Sequence, residues 1–359
     1  MSTIDRSSSV RSGEELPTEP LFKYLSAHLP GLTAPLIVEQ FPAGFSNLTY
    51  LLRSGARELV LRRPPVGAKI KTAHDMSREY RILSHLYPVY PKVPRPLLFC
   101  DDESILGAPF YVMERVTGII LRAQRPTGVD LAPALMRRLS QAFIENLAEI
   151  HELDYQAAGL GELGSPQGYV QRQVEGWTKR YFNARTDDVP TIENLAEWLH
   201  QNLPTDSERP GLIHNDYKYD NLVLDPNDLG RVIAVLDWEM ATIGDTLMDF
   251  GTSLGYWVET NDPEEWQRYG FGLTSLPGSF TRTELLDHYT QRTGRRIDDP
   301  VFYFAYGLLK IAVIVQQIYF RYQKGLTRDP RFAGLGALVK ACGDLAQHAI
   351  ERKRIDDLG

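Results

Sequence analysis

The sequence predicts an α+β chain of two lobes: a small front lobe built on an antiparallel sheet with one helix, and a larger, mostly helical rear lobe. Three observations carry this. Short β-rich runs bounded by turn residues fill the chain up to residue 116. From Pro133 onward, apolar residues recur at helical spacing. One island of short apolar strands around polar clusters, residues 212–236, interrupts the helices. At 359 residues the chain suits one large two-lobed domain.

The elements follow in order. Residues 1–20, rich in Ser, Pro, Glu and Thr, are expected to be a disordered tail. The front lobe spans 21–116, with a short helix at 21–29 and strands at 36–41, 49–53 and 58–62. A helix at 74–87 places Met76, Tyr80, Leu83 and Tyr87 on one face, and Pro91, Pro94 and Pro96 end it. Strands at 97–100 and 110–116 complete the sheet. The rear lobe, 117–359, carries helices at 135–153, 170–181, 192–203, 282–293, 301–324 and 332–354.

The composition excludes several classes. Net charge is −7 and no Lys/Arg run stands out, so nucleic acid and anionic membranes are not indicated as partners. The two cysteines, Cys100 and Cys342, belong to no ligand cluster, which fits a reducing cytoplasm. The most apolar stretch, 301–318, is broken by Lys310 and by Gln316 and Gln317.

Two motifs are decoys. Gly159-Leu160-Gly161-Glu162-Leu163-Gly164 matches a dinucleotide-binding pattern, but no buried strand precedes it and Ser165-Pro166 follows, so it reads as a loop. Asp249-Phe250-Gly251 spells a kinase metal motif, yet it follows Ala241 to Met248 rather than a buried strand.

The chemistry lies in Leu212-Ile213-His214-Asn215-Asp216-Tyr217-Lys218-Tyr219-Asp220-Asn221, with Asp237 sixteen residues later at the end of an apolar strand. Phosphoryl transfer needs a carboxylate for the acceptor's hydroxyl proton, oxygen ligands for Mg²⁺, and a cation for the transferred group. Asp216, then Asn221 with Asp237, then Lys218 meet these needs. An isolated Asp in a loop is more often a turn or cap residue; the joint spacing argues against that here.

The two segments from Leu212 to Asp225 and from Val235 to Asp249 resemble the aminoglycoside phosphotransferase family, in particular the branch whose kinase-like domain is fused to acyl-CoA dehydrogenases. The resemblance covers about residues 30–350 and implies a bilobal protein-kinase-like fold, ATP and Mg²⁺ as cofactors, and a stand-alone kinase-like member. It implies that Asp216 is the base, that Asn221 and Asp237 are metal ligands, that His214 braces the loop, and that Asp249 supports it. In the front lobe, Gly44, Ser46 and Asn47 occupy the turn expected over the phosphates. Arg62 stands at the phosphate-contacting strand position with Glu79 as ion-pair partner. Arg63 is the alternative, since strand alternation lets only one face the cleft. The carbonyl of Glu114 and the amide of Val116 would hold adenine. Asn215 and Trp238-Glu239 depart from protein kinases and no Ala-Pro-Glu element follows, which favours a small hydroxylated substrate.

Residues 281–359 hold 13 Lys and Arg against 9 Asp and Glu, a balance of +4 that leaves −11 for the remainder. This locally basic end of the rear lobe favours an anionic acceptor such as a hydroxy acid or its CoA thioester. The alternatives are a kinase for an amino-alcohol or aminoglycoside, and a nucleotide-binding pseudokinase or scaffold. Tyr306, Lys310, Gln317 and Arg321 share one helical face and are candidates for the acceptor site, against the plainer reading of a solvated stripe. The oligomeric state is open.

Overall fold

The front lobe is a five-stranded antiparallel sheet in the order β1-β2-β3-β5-β4: β1 (Leu36–Gln40), β2 (Leu48–Ser54), β3 (Arg57–Arg63), β4 (Pro96–Cys100) and β5 (Phe110–Glu114). The structure is a computed structural model describing residues 7–41, 47–65, 75–123, 128–327 and 329–359. Gly44 and Ser46 lie outside the described residues, as does His74 at the start of the expected second helix.

Strand alternation gives the sheet two faces. Leu59 and Leu61 of β3, with Leu52, Tyr50 and Val112, pack under α1 (Thr18–His28). Val60 and Arg62, with Tyr111, face α2 (Met76–Leu86) and the rear lobe. The tail expectation needs correcting from residue 7 onward. Ser8 pairs with Gln40 through two 2.8 Å backbone bonds, Gln40 Nε2 donates to Glu14 at 2.6 Å, and Leu16 is buried. Buried Gln40 needs polar partners, and these few anchors outweigh the polar composition of the segment. The first helix starts at Thr18, three residues earlier than expected.

The rear lobe contains α4 (Pro133–His151), α5 (Tyr169–Ala184), α6 (Pro190–Gln201), α7 (Thr246–Gly255), α8 (Glu264–Gln267), α9 (Arg282–Thr293), α10 (Pro300–Gln323) and α11 (Leu335–Arg352). Within it, α10 packs against α5, α6, α7 and α11. It is long and apolar enough to cross a membrane, but most of it is buried in this core. The segment Gly159 to Gly164 is a loop with a single 3₁₀ turn.

Sequence reading misses α7, α8 and the short α3 (Glu103–Leu106). Gly251 and Gly255 lower the helical propensity of α7. Packing requires at least the first of them. A Cβ on Gly251 would lie 2.2 Å from the Tyr303 carbonyl oxygen, and one on Gly307 2.2 Å from that of Gly251. Helices α7 and α10 therefore cross backbone to backbone.

Arg282, fully buried at the start of α9, ties the rear lobe together. It donates to both Asp262 oxygens at 2.8 and 2.5 Å, to the Trp257 carbonyl at 2.9 Å and to the Ile355 carbonyl at 2.9 Å. Arg282→Met leaves buried Asp262 without its cation. It is expected to cost about 3–5 kcal/mol of stability, read from urea unfolding; a loss below ~1 kcal/mol contradicts this account.

Candidate active site

The cleft-facing segment begins with β6 (Gly211–Ile213), which pairs with β9 (Thr242–Gly244). Between them lie a loop, a 3₁₀ turn at Tyr219–Asn221, and the hairpin of β7 (Leu222–Asp225) and β8 (Asp228–Val235). Asp216 and Asn221 come from the loop and turn, and Asp237 follows β8. Lys218 Nζ donates to both Asp216 oxygens at 2.7 and 2.8 Å. Burial works against the Lys218 ammonium, but Tyr256 and Asp216 more than offset it and raise its pKa. Asn221 Nδ2 donates to the Asp216 carbonyl at 2.8 Å and to its carboxylate at 2.9 Å, so its amide oxygen remains for another partner.

Arg62, not Arg63, enters the cleft. Its guanidinium donates to Glu79 at 2.5 Å and to Asp237 at 3.0 Å, and lies 3.6 Å from Glu239. Arg63 points to the other face and donates to the Pro64 carbonyl at 3.3 Å. Burial disfavours the Arg62 cation, yet Glu79 and the carboxylates around it hold its pKa well above the usual value. Burial raises the Asp237 carboxyl, and Arg62 more than reverses this, so its pKa is lowered. Glu239 is pushed up to about 8, first by burial and then by the Asp237 charge. Asn47 Nδ2 donates to Glu239 at 2.6 Å across the lobes.

Asp249 sits on α7, fully buried, and accepts the backbone N–H groups of His214 and Asn215, each at 2.7 Å. His151 of α4 adds a 3.2 Å contact from Nε2, and its Nδ1 meets Tyr289 OH at 2.7 Å. Phe250 stacks on Tyr289 at 4.7 Å, and Gly251 makes the crossing with α10. Asp-Phe-Gly in this chain is thus a packing and loop-anchoring unit. His214 Nε2 contacts the Leu236 carbonyl at 2.9 Å, and its Nδ1 accepts from the Asp216 amide at 3.2 Å.

The polar face expected on α10 divides. Tyr306 and Lys310 are buried, whereas Gln317 and Arg321 are exposed and are not among the residues that line the cavity described below. The helix leaves the core near its C-terminal end, and its buried glutamine is Gln316, bonded to the Ala184 carbonyl at 2.8 Å. Lys310 Nζ donates to the Asn215 carbonyl at 2.6 Å and to its side-chain oxygen at 3.2 Å. It therefore supports the loop that carries Asp216 directly.

Lys310 and Asn215 also line a cavity of about 400 Å³, together with Asn47, Glu239 and, from α5, Arg172, Trp177 and Arg180. The Arg180 guanidinium lies 4.5 Å from the Trp177 ring centroid. Sequence reasoning missed Trp177, Arg180 and Glu239 as site residues. The α5 residues carry a visible signal: positions 173, 177 and 180 share a helical face. The apolar cluster of Val116, Ile120, Val223, Ile233, Ala234 and Leu236 adjoins Asp237 in sequence and follows Glu114 at the end of β5.

A five-stranded front sheet with a paired Arg62 and Glu79, over a helical lobe carrying Asp216, Asn221 and Asp237, is a protein-kinase-like fold. Residues 37–285 match the phosphotransferase enzyme family, and the chain belongs to that family. It is 38% identical over 315 residues to acyl-CoA dehydrogenase family member 11 of Homo sapiens, a match covering 86% of this chain and 40% of that protein. The chain thus spans less than half the length of this relative. A candidate aminoglycoside phosphotransferase from Ralstonia eutropha JMP134 superposes with a TM-score of 0.77 at 33% identity, covering 93% of this chain and 99% of that one. An aminoglycoside phosphotransferase in complex with GDP and kanamycin shares the fold at 16% identity, with a TM-score of 0.61 and coverage of 89% and 97%.

Lys310 gives this site a pH signature. Burial, only partly countered by Asp249 and Asp216, lowers its ammonium from 10.5 to about 8. Between these values the unfolded chain binds a proton that the folded chain does not, so stability rises with pH across that window, by up to ~1.4 kcal/mol per unit. Below pH 8 both states are protonated and the contribution is constant. Lys310→Met is expected to lack this rise, read from urea unfolding of both proteins at pH 8 and pH 10. Parallel stability changes in the two proteins rule it out.

Proposed function

We propose that the protein transfers the γ-phosphoryl group of ATP, with Mg²⁺, to the hydroxyl of a small anionic molecule, favoured as a hydroxy acid or hydroxyacyl-CoA. The observation that carries this reading is the convergence of Asp216, Asn221 and Asp237 beside a cavity bearing Arg172, Arg180 and Lys310. Those cations weigh against a polycationic aminoglycoside or an amino-alcohol. The complete acid, amide and metal-ligand set weighs against a pseudokinase.

The residues fit a magnesium ion. Asn221 keeps its amide oxygen available, and three carboxylates, those of Glu79, Asp237 and Glu239, gather on the Arg62 guanidinium, which leaves this corner with more negative than positive charge. Among the described residues no group of three or more His, Cys, Asp or Glu could hold a metal by itself. That suits Mg²⁺, which takes one or two protein ligands and completes its shell with phosphate and water. When bound by Asn221 and Asp237, the ion neutralises charge on the phosphates. Asp216 accepts the proton of the acceptor hydroxyl. Lys218 and Asn221 fix the Asp216 carboxylate in orientation. Arg62, held by Glu79, presents its charge to the phosphates. The cluster around Val116 and Leu236 offers an apolar seat for adenine, with the Glu114 carbonyl and Val116 amide as its edge partners.

Nucleotide consumption measured with ATP and GTP across hydroxy acids, their CoA esters, amino-alcohols and aminoglycosides tests the reading. Turnover with the anionic compounds is expected; turnover confined to the cationic ones overturns the acceptor class. Asp216→Asn should lose about two to four decades of turnover while nucleotide binding by calorimetry persists. Arg180→Ala should raise the acceptor KM by about tenfold, the loss of one charged hydrogen bond, with nucleotide affinity unchanged. Equal KM in Arg180→Ala and wild type removes Arg180 from the acceptor site.

A further inference from the structure

Asp237 is held in the left-handed region, with φ of 68°. A non-glycine residue there costs on the order of 1–3 kcal/mol and persists only where its surroundings over-determine it. On its N-terminal side, His214 contacts the Leu236 carbonyl at 2.9 Å and the Trp238 indole donates to the Val235 carbonyl at 2.9 Å. On its C-terminal side, three consecutive carbonyls are each taken by a side chain. Arg78 Nη1 donates to Glu239 O at 2.9 Å, Asn215 Nδ2 to Met240 O at 3.1 Å, and Arg78 Nη2 to Ala241 O at 2.6 Å.

Arg78 belongs to α2, one residue before the Glu79 that positions Arg62. Neighbouring residues of one front-lobe helix thus reach the same rear-lobe segment by two routes. Glu79 acts through Arg62 on the Asp237 carboxylate. Arg78 acts on the backbone beyond it. In protein kinases the segment after the metal aspartate is set by the position of the equivalent helix and by phosphate added to the loop. In this chain a guanidinium fork spans the two alternate carbonyls without any added phosphate.

We infer that Arg78 is a positioning residue for Asp237: its fork fixes the backbone of residues 239–241 to α2 and thereby holds the Asp237 carboxylate in its place for the metal. The metal half of this inference rests on the phosphotransferase reading; the backbone half does not. Arg78 touches neither nucleotide nor metal in this scheme. Arg78 also lines the cavity assigned to the acceptor, so the test is made without acceptor, where its loss should change metal-dependent binding and leave metal-independent binding intact.

The experiment compares wild type with Arg78→Met and Arg78→Lys in the full chain. AMP-PNP binding is titrated by calorimetry in EDTA and across a Mg²⁺ series, and hydrogen exchange is followed in peptides covering residues 236–244. Arg78→Met is expected to raise the Mg²⁺ concentration for half-maximal enhancement by roughly tenfold or more, the usual effect of removing a residue that orients a metal ligand. Its affinity in EDTA stays as in wild type, and exchange in 236–244 accelerates. Arg78→Lys should resemble Arg78→Met, because one ammonium cannot span carbonyls two residues apart. An unchanged Mg²⁺ requirement, an equal fall in affinity with and without metal, or full restoration by Lys overturns the inference. If wild type binds no AMP-PNP, the phosphotransferase reading fails, and the exchange data alone decide the backbone clamp: unchanged exchange in Arg78→Met rejects it.

Discussion

One buried carboxylate sets the geometry on which the candidate site depends. Asp249 takes the N–H groups of two successive loop residues, and the loop they begin carries Asp216 and Asn221. A carboxylate with no water around it is costly unless its lone pairs are filled, and here two amides and a histidine fill them. The start of the loop is thereby tied to α7. Lys310 answers from α10 by holding the carbonyl side of the same residue, Asn215. Asn215, in the left-handed region at φ 67°, is gripped through its N–H, carbonyl and side chain together.

The two lobes meet through polar contacts at the same place. Arg62 bridges the sheet, α2 and Asp237, while Asn47 and Arg78 reach Glu239 and its neighbours. The carboxylates at this seam exceed the cations that meet them, which is why burial and the Asp237 charge hold Glu239 protonated into the neutral range. A divalent cation placed at Asp237 would relieve part of that surplus.

Much of this was legible in the sequence where the signal is local. Strand alternation leaves only one of Arg62 and Arg63 in the cleft; which of them it is follows from the packing of Leu59 and Leu61 under α1, which the sequence does not show. Spacing alone brings Asp216, Asn221 and Asp237 into one neighbourhood. Helix α7 was not legible, because its glycines serve a crossing with residues about fifty positions away. Arg78 and Glu239 were equally hidden. Their partners lie 161 residues away for Arg78 and 192 for Glu239, and no periodicity marks them. The polar face of α10 misled for a different reason: a helical wheel gives direction but not depth, and the helix emerges from the core between Gln316 and Gln317.

The crossing of α7 and α10 has a consequence for how the cavity beside the Asp216 loop can change over evolution or by engineering. Two walls face that cavity, and they differ in freedom. On α5, Arg180 is an exposed side chain whose replacement reshapes the cavity surface, whereas Arg172 also holds the Ser165 and Gln167 carbonyls. On α10, Lys310 lies one turn from Gly307, where the backbone already touches α7 and any added carbon must pry the helices apart. The cavity surface is therefore open to change through α5, whereas edits to α10 act at the same time on the loop that carries Asp216.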